Sequence, residues 1–410
     1  MNLFKNLFSE LSGYESIQEC IRKNISPISV SGLSHIHKAN LIYSLSGEKI
    51  LLVITGTESE SKRLCDDINM MAGNETAVLF PSKEISLTPV ESANKEYEYM
   101  RISALARAVN GSCSVICASI EAVMQPVIPA ETLVSSTIEI KSGHEYSISE
   151  LSAKLALSGY QRSEKVEGSS QFSVRGSILD IFPVQADKPI RIEFWGDEVD
   201  TISEFETDTQ RRLDEKLESV EISPASEVLY NNEELALRIE ELIGKTRGRR
   251  SESVKTNLGA DVKRLRAGEI LAHSIKYYPL VYGEVSTVFD YIDGAVIFSE
   301  YSEIINSATG ISARYNEDIK ILLEEGQICK GLDGYYMEIS QVQHFAGMKN
   351  CIYISNFMQG GERIDYRKLI SFEALQTASW GGEMKQLVED MSDFISRKYR
   401  IILVAGSEKP

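Results

Sequence analysis

The sequence feature that most constrains this chain is a set of short, wholly apolar runs, each cut off by a turn residue. Ile50-Leu51-Leu52-Val53-Ile54 carries no polar residue and stops at Thr55-Gly56. A strand with one wet face would alternate. A run with no alternation has both faces covered, the pattern of a strand inside a parallel sheet sandwiched by helices. Ala77-Val78-Leu79-Phe80, ended by Pro81, and Ser114 to Ala118 repeat it. Between them lie stretches with helical spacing, Glu58 to Met71 through Leu64, Ile68 and Met71, and Glu96 to Ala108. A further helix closes at Pro126 and Pro129. Strand, helix, strand, helix predicts a parallel α/β layer over the first ~130 residues.

The rhythm then changes. Val134 to Ile140, Phe172 to Ile181, Ile190 to Phe194, Glu198 to Phe205 and Ser219 to Ile222 read as short strands. Gly143, Gly168-Ser169, Pro183, Pro189, Gly196-Asp197 and Asp208 punctuate them, with one helix at Ser149 to Ser158. This is a compact strand-rich insertion. Helical and α/β patterning resumes after Pro224, with a helix opening at Asn232-Glu233-Glu234, closed by Gly244, and a buried strand at Gly294 to Phe298. From about Ser371 an amphipathic helix, Met384 to Tyr399, leads into the apolar Ile401-Ile402-Leu403-Val404 near the last residue. A strand that apolar needs cover, so the chain reads as the front of a longer protein whose next α/β domain is unfinished.

No uncharged apolar run approaches the ~18 residues of a membrane span. The amino-terminal segment lacks the basic start and apolar block of a signal peptide, so a cytoplasmic location is expected. Six cysteines are scattered without a CxxC, and five histidines show no ligand spacing beyond His35-x-His37, so neither metal nor disulfide is expected. A net charge of −17 argues against a surface whose main task is to coat nucleic acid.

Two places invite a chemical reading. A phosphate-binding loop requires G-x-x-x-x-G-K-[ST], in which glycines let backbone N–H groups wrap the phosphates, Lys neutralises them and the hydroxyl holds magnesium. Ser31-Gly32-Leu33-Ser34-His35-Ile36-His37-Lys38-Ala39 keeps Gly32 and Lys38 in register, but His37 replaces the second glycine and Ala39 the hydroxyl. This is a degenerate, non-functional version, with no nucleotide cofactor expected. Val296-Ile297-Phe298 runs into Ser299-Glu300, so the acid that would organise magnesium is replaced by Ser299. Gly244-Lys245-Thr246 imitates the end of such a loop but follows a helix. The adjoining Arg247, Arg249 and Arg250 read as a solvated basic loop. No catalytic residue emerges.

The second place is the insertion. Phe172 to Pro183 alternates, with Ser173 and Arg175 on one face, and Ile190 to Val199 follows as its hairpin partner. Arg175 and Arg191 then fall on polar positions of adjacent strands, with Trp195 at the turn. Two arginines and a large aromatic match the make-up of a protein-binding hot spot. The same pattern equally describes a solvated face with local pairs to Glu193 and Asp197. The pattern alone leaves both readings open.

At these residues the chain becomes recognisable. FSVRGSILDIFP followed by IRIEFWGDEVDTISEFETDTQR closely resembles the signature of the UvrB-homology module, which is shared by the excision-repair helicase UvrB and the bacterial transcription-repair coupling factors. The degenerate loop at Gly32 to Ala39 resembles the coupling-factor branch, as do YYPLVYGEVSTVFDYID and the late SWGGEMKQL and YRIILVAGSEKP segments. The resemblance implies a discontinuous, degenerate helicase-like α/β domain over 1–131 and 225–365. It implies a UvrA-docking domain over 132–224, with Arg175, Arg191 and Trp195 at UvrA-contacting positions, and the beginning of a further domain over 366–410. It also implies a non-catalytic recruiter of UvrA to stalled RNA polymerase. RNA polymerase and DNA would be engaged only through downstream domains that also hold the ATP-driven translocase, and a C-terminal domain would mask the UvrA-binding face. The alternative is a UvrB-like fragment that binds nucleotide through residues 31–39 or DNA through residues 245–255.

Overall fold

The computed structural model describes residues 4–85, 87, 95–248, 250–357, 364–373 and 381–401. In chain order, strands β1 (Ile28–Ser31), β2 (Leu51–Thr55), β3 (Ala77–Phe80) and β4 (Val115–Ser119) come first. The inserted segment holds β5 (Ile138–Lys141), β6 (Gln161–Arg162), β7 (Gln171–Arg175), β8 (Ile178–Ile181), β9 (Ile190–Trp195), β10 (Glu198–Phe205), β11 (Arg212–Leu217) and β12 (Ser219–Ile222). Then follow β13 (Val296–Ser299), β14 (Cys351–Ser355) and β15 (Lys368–Ser371).

Seven strands form one parallel sheet in the order β15-β1-β14-β13-β2-β4-β3. The wholly apolar runs are its inner strands, and every residue of β2, β4 and β13 is buried. Side chains alternate between two cores, so neighbours in one run serve opposite faces. Leu52, Ile54, Ile116 and Phe298 belong to one face, and Leu51, Val53, Val115 and Ile297 to the other. The helices Glu58–Ala72 and Glu96–Val109 cover the sheet at the predicted places. Thr57 caps the first of these by accepting from Glu60 N at 3.3 Å.

The pairing β2·β13 joins residue Val53 to Ile297 across the inserted segment, so the sheet is built from both sides of the insertion. The inserted strands form their own six-stranded sheet, β11-β10-β9-β8-β7-β6, over a separate core of Leu155, Phe172, Leu179, Ile181, Ile192 and Phe194. β5 and β12, where the chain enters and leaves it, pair antiparallel with each other as a two-stranded neck. A fourth apolar cluster fills a helical layer around Leu235, Leu258, Leu265, Tyr277 and Tyr335.

Several expectations are corrected. Residues Ala130–Ser136 are helical, so the strand read at Val134 to Ile140 shrinks to β5. Pro129 at the helix start sets the local φ, and Val134 lies exposed on that helix. Phe172 to Ile181 is a hairpin rather than one strand, because Gly176 turns the chain at φ +62°. Gly244 lies inside the helix Asn232–Lys245; Arg247 and Arg250 do lie in a loop, and the helix Ser251–Arg266 follows it. Strands β1, β6, β11, β14 and β15 fall where the apolar and alternating patterns predict no strand. The closing apolar stretch Ile402 to Ala405 lies outside the described residues, as do Arg249 and Trp380.

Candidate docking face and the loop at Gly32

The six-stranded sheet has one face on its core and one toward solvent. Leu179, Ile181, Ile190, Ile192 and Phe194 point inward, so the alternate residues Asp180, Arg191, Glu193 and Trp195 point out. Arg175 and Arg191 do not sit on adjacent strands as expected, because β8 lies between β7 and β9. The register places Ser173, Asp180, Arg191 and Ser203 in one row across the sheet, with Arg175, Ile178, Glu193 and Thr201 in the next.

The partner of both arginines is Asp180 on that middle strand, not Glu193 or Asp197. Arg191 grips it as a fork, Nε to Oδ1 at 2.7 Å and Nη2 to Oδ2 at 2.9 Å. Arg175 Nη2 donates to the same Oδ2 at 2.5 Å. Arg191 also donates from Nη1 to the Gln210 carbonyl at 3.1 Å and lies 4.7 Å over the Phe205 ring. The hydrogen bonds to Asp180 push the Arg191 guanidinium pKa up against the opposing effect of burial. Exposure separates the three residues. The Arg191 side chain is 13% exposed and Asp180 1%, whereas Arg175 is 44% exposed. Trp195, at the β9–β10 turn where Gly196 has φ +65°, is 83% exposed. Glu193 pairs with Arg212 of β11 at 3.3 Å.

Asp180 escaped the sequence reading, yet a signal was present. A lone acid inside Ile178-Leu179-Asp180-Ile181 is costly to bury without a cationic partner, and two arginines lie nearby in sequence. A second buried charge was also missed. Glu227, where the chain leaves the insertion, accepts from Arg101 Nε at 2.9 Å and pairs with Lys83. Burial pushes the Glu227 carboxyl up, but Arg101 and Lys83 outweigh it and hold the group below its usual range. Tyr99 and Ser170, joined hydroxyl to hydroxyl at 2.6 Å, add a second tie between the insertion and the α/β layer.

Gly32 follows β1 at the C-terminal edge of the parallel sheet, and His37, Lys38 and Ala39 lie in the first turns of the helix His35–Leu45. Strand, glycine and helix follow in the order a phosphate loop has. The helix, however, starts at His35, well before Lys38, so only residues 32–34 separate it from β1. Gly32 has φ +82°, and a Cβ there would collide with the Phe372 carbonyl oxygen. Backbone just beyond β15 therefore packs directly against Gly32. His37 Nδ1 bonds the Ser34 hydroxyl at 2.7 Å, and Ala39 is fully buried. Lys38 is buried and ion-paired with Glu300, which also accepts from Asn356 N at 2.7 Å. Ser299 donates to Glu60 Oε1 at 3.0 Å.

Among the described residues no group of His, Cys, Asp and Glu has the arrangement of a metal site, and no helix is long and apolar enough to cross a membrane. All six cysteines are free and buried.

Residues 138–228 match the family model of the UvrB interaction domain. The full chain is 26% identical over 422 residues to the transcription-repair-coupling factor of Bacillus subtilis, an alignment covering 100% of this chain and 36% of that protein. The corresponding factor of Haemophilus influenzae is 26% identical over 70% of this chain and 24% of its own length. That of Staphylococcus aureus is 23% identical over 92% of this chain and 33% of its own. The chain spans about a third of the length of the curated relatives it matches.

Proposed function

Because the chain is similar over its whole length to part of the bacterial transcription-repair coupling factors, we propose that it serves transcription-coupled repair as a non-catalytic docking module for UvrA. The inserted sheet is the docking domain, with Arg175 and Trp195 as direct contacts and Arg191 behind them. Its flanking α/β layer is a helicase-like domain whose phosphate loop holds no nucleotide. RNA polymerase, DNA and the ATP-driven motor belong to other parts of the coupling factor, and a C-terminal domain there covers this face.

The observation that carries the reading is an exposed Trp195 and an exposed Arg175 on the same sheet within the matched 138–228 segment. A tryptophan left 83% in water costs apolar hydration that a protein partner would recover, and Trp and Arg dominate protein-binding hot spots. The UvrB-like alternative has no such support at residues 31–39, because Lys38 is ion-paired with Glu300, His37 replaces the second glycine and Ala39 the hydroxyl.

The test is capture of purified UvrA by Arg175→Glu and Trp195→Ala. Each substitution at a hot spot costs about 2 kcal/mol or more, roughly thirtyfold in affinity. Both side chains are exposed, so the variants stay folded, with Arg175→Glu melting somewhat lower because its carboxylate faces Asp180. Undiminished capture by both variants refutes the reading.

A further inference from the structure

The docking face contains one charged group that cannot itself touch a partner. Asp180 is 1% exposed, yet it binds both arginines. Arg191 is spent on it: Nε and Nη2 go to the Asp180 carboxylate, Nη1 goes to Gln210, and the guanidinium is stacked over Phe205. Arg175 differs. Its only hydrogen bond among the described residues is Nη2 to Asp180 Oδ2, so its Nε and Nη1 edges remain open toward solvent.

A long arginine side chain free in solvent samples many rotamers, and that freedom is lost on binding. A side chain already tethered at one corner of its fork loses less, and its open edge is aimed before the partner arrives. The tether is itself rigid. Asp180 lies between ladder partners on both sides, Ser173 and Arg191, and the Arg191 fork fixes its carboxylate plane. The arrangement is a chain from Arg191 through Asp180 to Arg175, ending in an oriented fork. Asp180 also cancels one of the two positive charges, so the face offers a single directed donor rather than a diffuse dication. Such a fork matches a carboxylate, which it can bind with two parallel hydrogen bonds.

We propose that Asp180 is the positioning residue of this face, holding the Arg175 guanidinium in the orientation that receives a carboxylate of the docked protein. The proposal rests on the reading of the inserted sheet as the UvrA-docking domain.

The experiment measures the affinity of the full chain for purified UvrA. Asp180→Asn keeps the shape and loses the charge, and lowers affinity about tenfold, as does Arg175→Gln. Because both act through one fork, the double variant is no more than about tenfold weaker than wild type, where independent contributions would multiply to about a hundredfold. Arg175→Lys keeps the charge without the fork and also falls about tenfold. Wild-type affinity in an Asp180→Asn variant that melts normally, multiplicative losses in the double variant, or wild-type affinity in Arg175→Lys each overturn the proposal. The lysine variant decides the matter even if Asp180→Asn does not fold. Failure of the docking reading itself gives a different pattern, in which Arg175→Gln and Trp195→Ala both bind as tightly as wild type.

Discussion

Replacing Arg191 with alanine separates a contact from a support, and the two arginines of the face are expected to respond in opposite ways. In Arg191→Ala the Asp180 carboxylate, 1% exposed, loses both bonds of the fork and keeps only the bond from Arg175. Breaking one side of a buried ion pair costs about 3–5 kcal/mol. The Arg191 side chain retains 13% of its surface in water, which places this case at the lower end, about 3 kcal/mol. Loss of the stack over Phe205 acts in the same direction. At 1.4 kcal/mol per decade, local opening of the hairpin becomes roughly a hundredfold more frequent. Arg175→Ala removes a pair whose cationic side chain is 44% exposed, and the surface-pair range of about 0–1 kcal/mol applies. Opening then rises only a few-fold. Amide hydrogen exchange over β8 and β9 reads both directly. The reasoning is refuted if exchange in Arg191→Ala matches wild type, or if Arg175→Ala accelerates it equally. Under the proposed docking, loss of UvrA capture in Arg191→Ala is expected to report a loosened sheet, and loss in Arg175 or Trp195 variants a lost contact.

Gly32→Ala is expected to destabilise the chain by at least about 1 kcal/mol, seen as a lowered melting temperature, because φ +82° and the Phe372 carbonyl both exclude a Cβ. Titration with ATP is expected to show no saturable binding at residues 31–39; binding that disappears in Lys38→Met overturns that expectation. The buried Asp261 predicts an acid limb of stability. Burial raises its carboxyl, but hydrogen bonds from His273 at 3.0 Å and Tyr277 at 2.6 Å, with the charge of Lys276, outweigh it and bring the pKa to about 2. A folded pKa below the ordinary 3.8 means the stabilisation is complete above about pH 4 and is lost as pH falls toward 2. Thermal melts between pH 5 and 2 should lose that part of their slope in Asp261→Asn.

Local chemistry made some elements legible and left others silent. β2, β4 and β13 announce themselves because a strand covered on both faces must be apolar throughout. β11, whose six residues are exposed or half-buried, has the composition of a loop and is a strand only because β10 pairs with it. β15 buries Ile370 alone and is held by the ladder to β1. The helix Ala130–Ser136 contains Leu133-Val134, which suit a strand equally well, and its packing settles the matter. At the candidate site, Arg175, Arg191 and Trp195 were visible from alternation, but their ranking was not. One-dimensional alternation assigns a residue to a face and says nothing of which strand lies beside it. Placing Arg175 and Arg191 on neighbouring strands therefore missed β8 and, with it, Asp180.

Periodicity and apolar runs by themselves determined a parallel α/β layer interrupted by a strand-rich insertion, because burial on two faces or one leaves a compositional trace in the inner strands. The substitutions at His37 and Ala39 were likewise plain, since a phosphate loop depends on particular residues at fixed spacing. Tertiary structure alone decided that β2 meets β13 across the insertion, that Lys38 spends its charge on Glu300, and that a shared buried carboxylate divides two similar arginines into a support and an exposed fork. Those outcomes depend on which distant groups come within hydrogen-bonding distance, and that is a property of packing rather than of any local stretch of sequence.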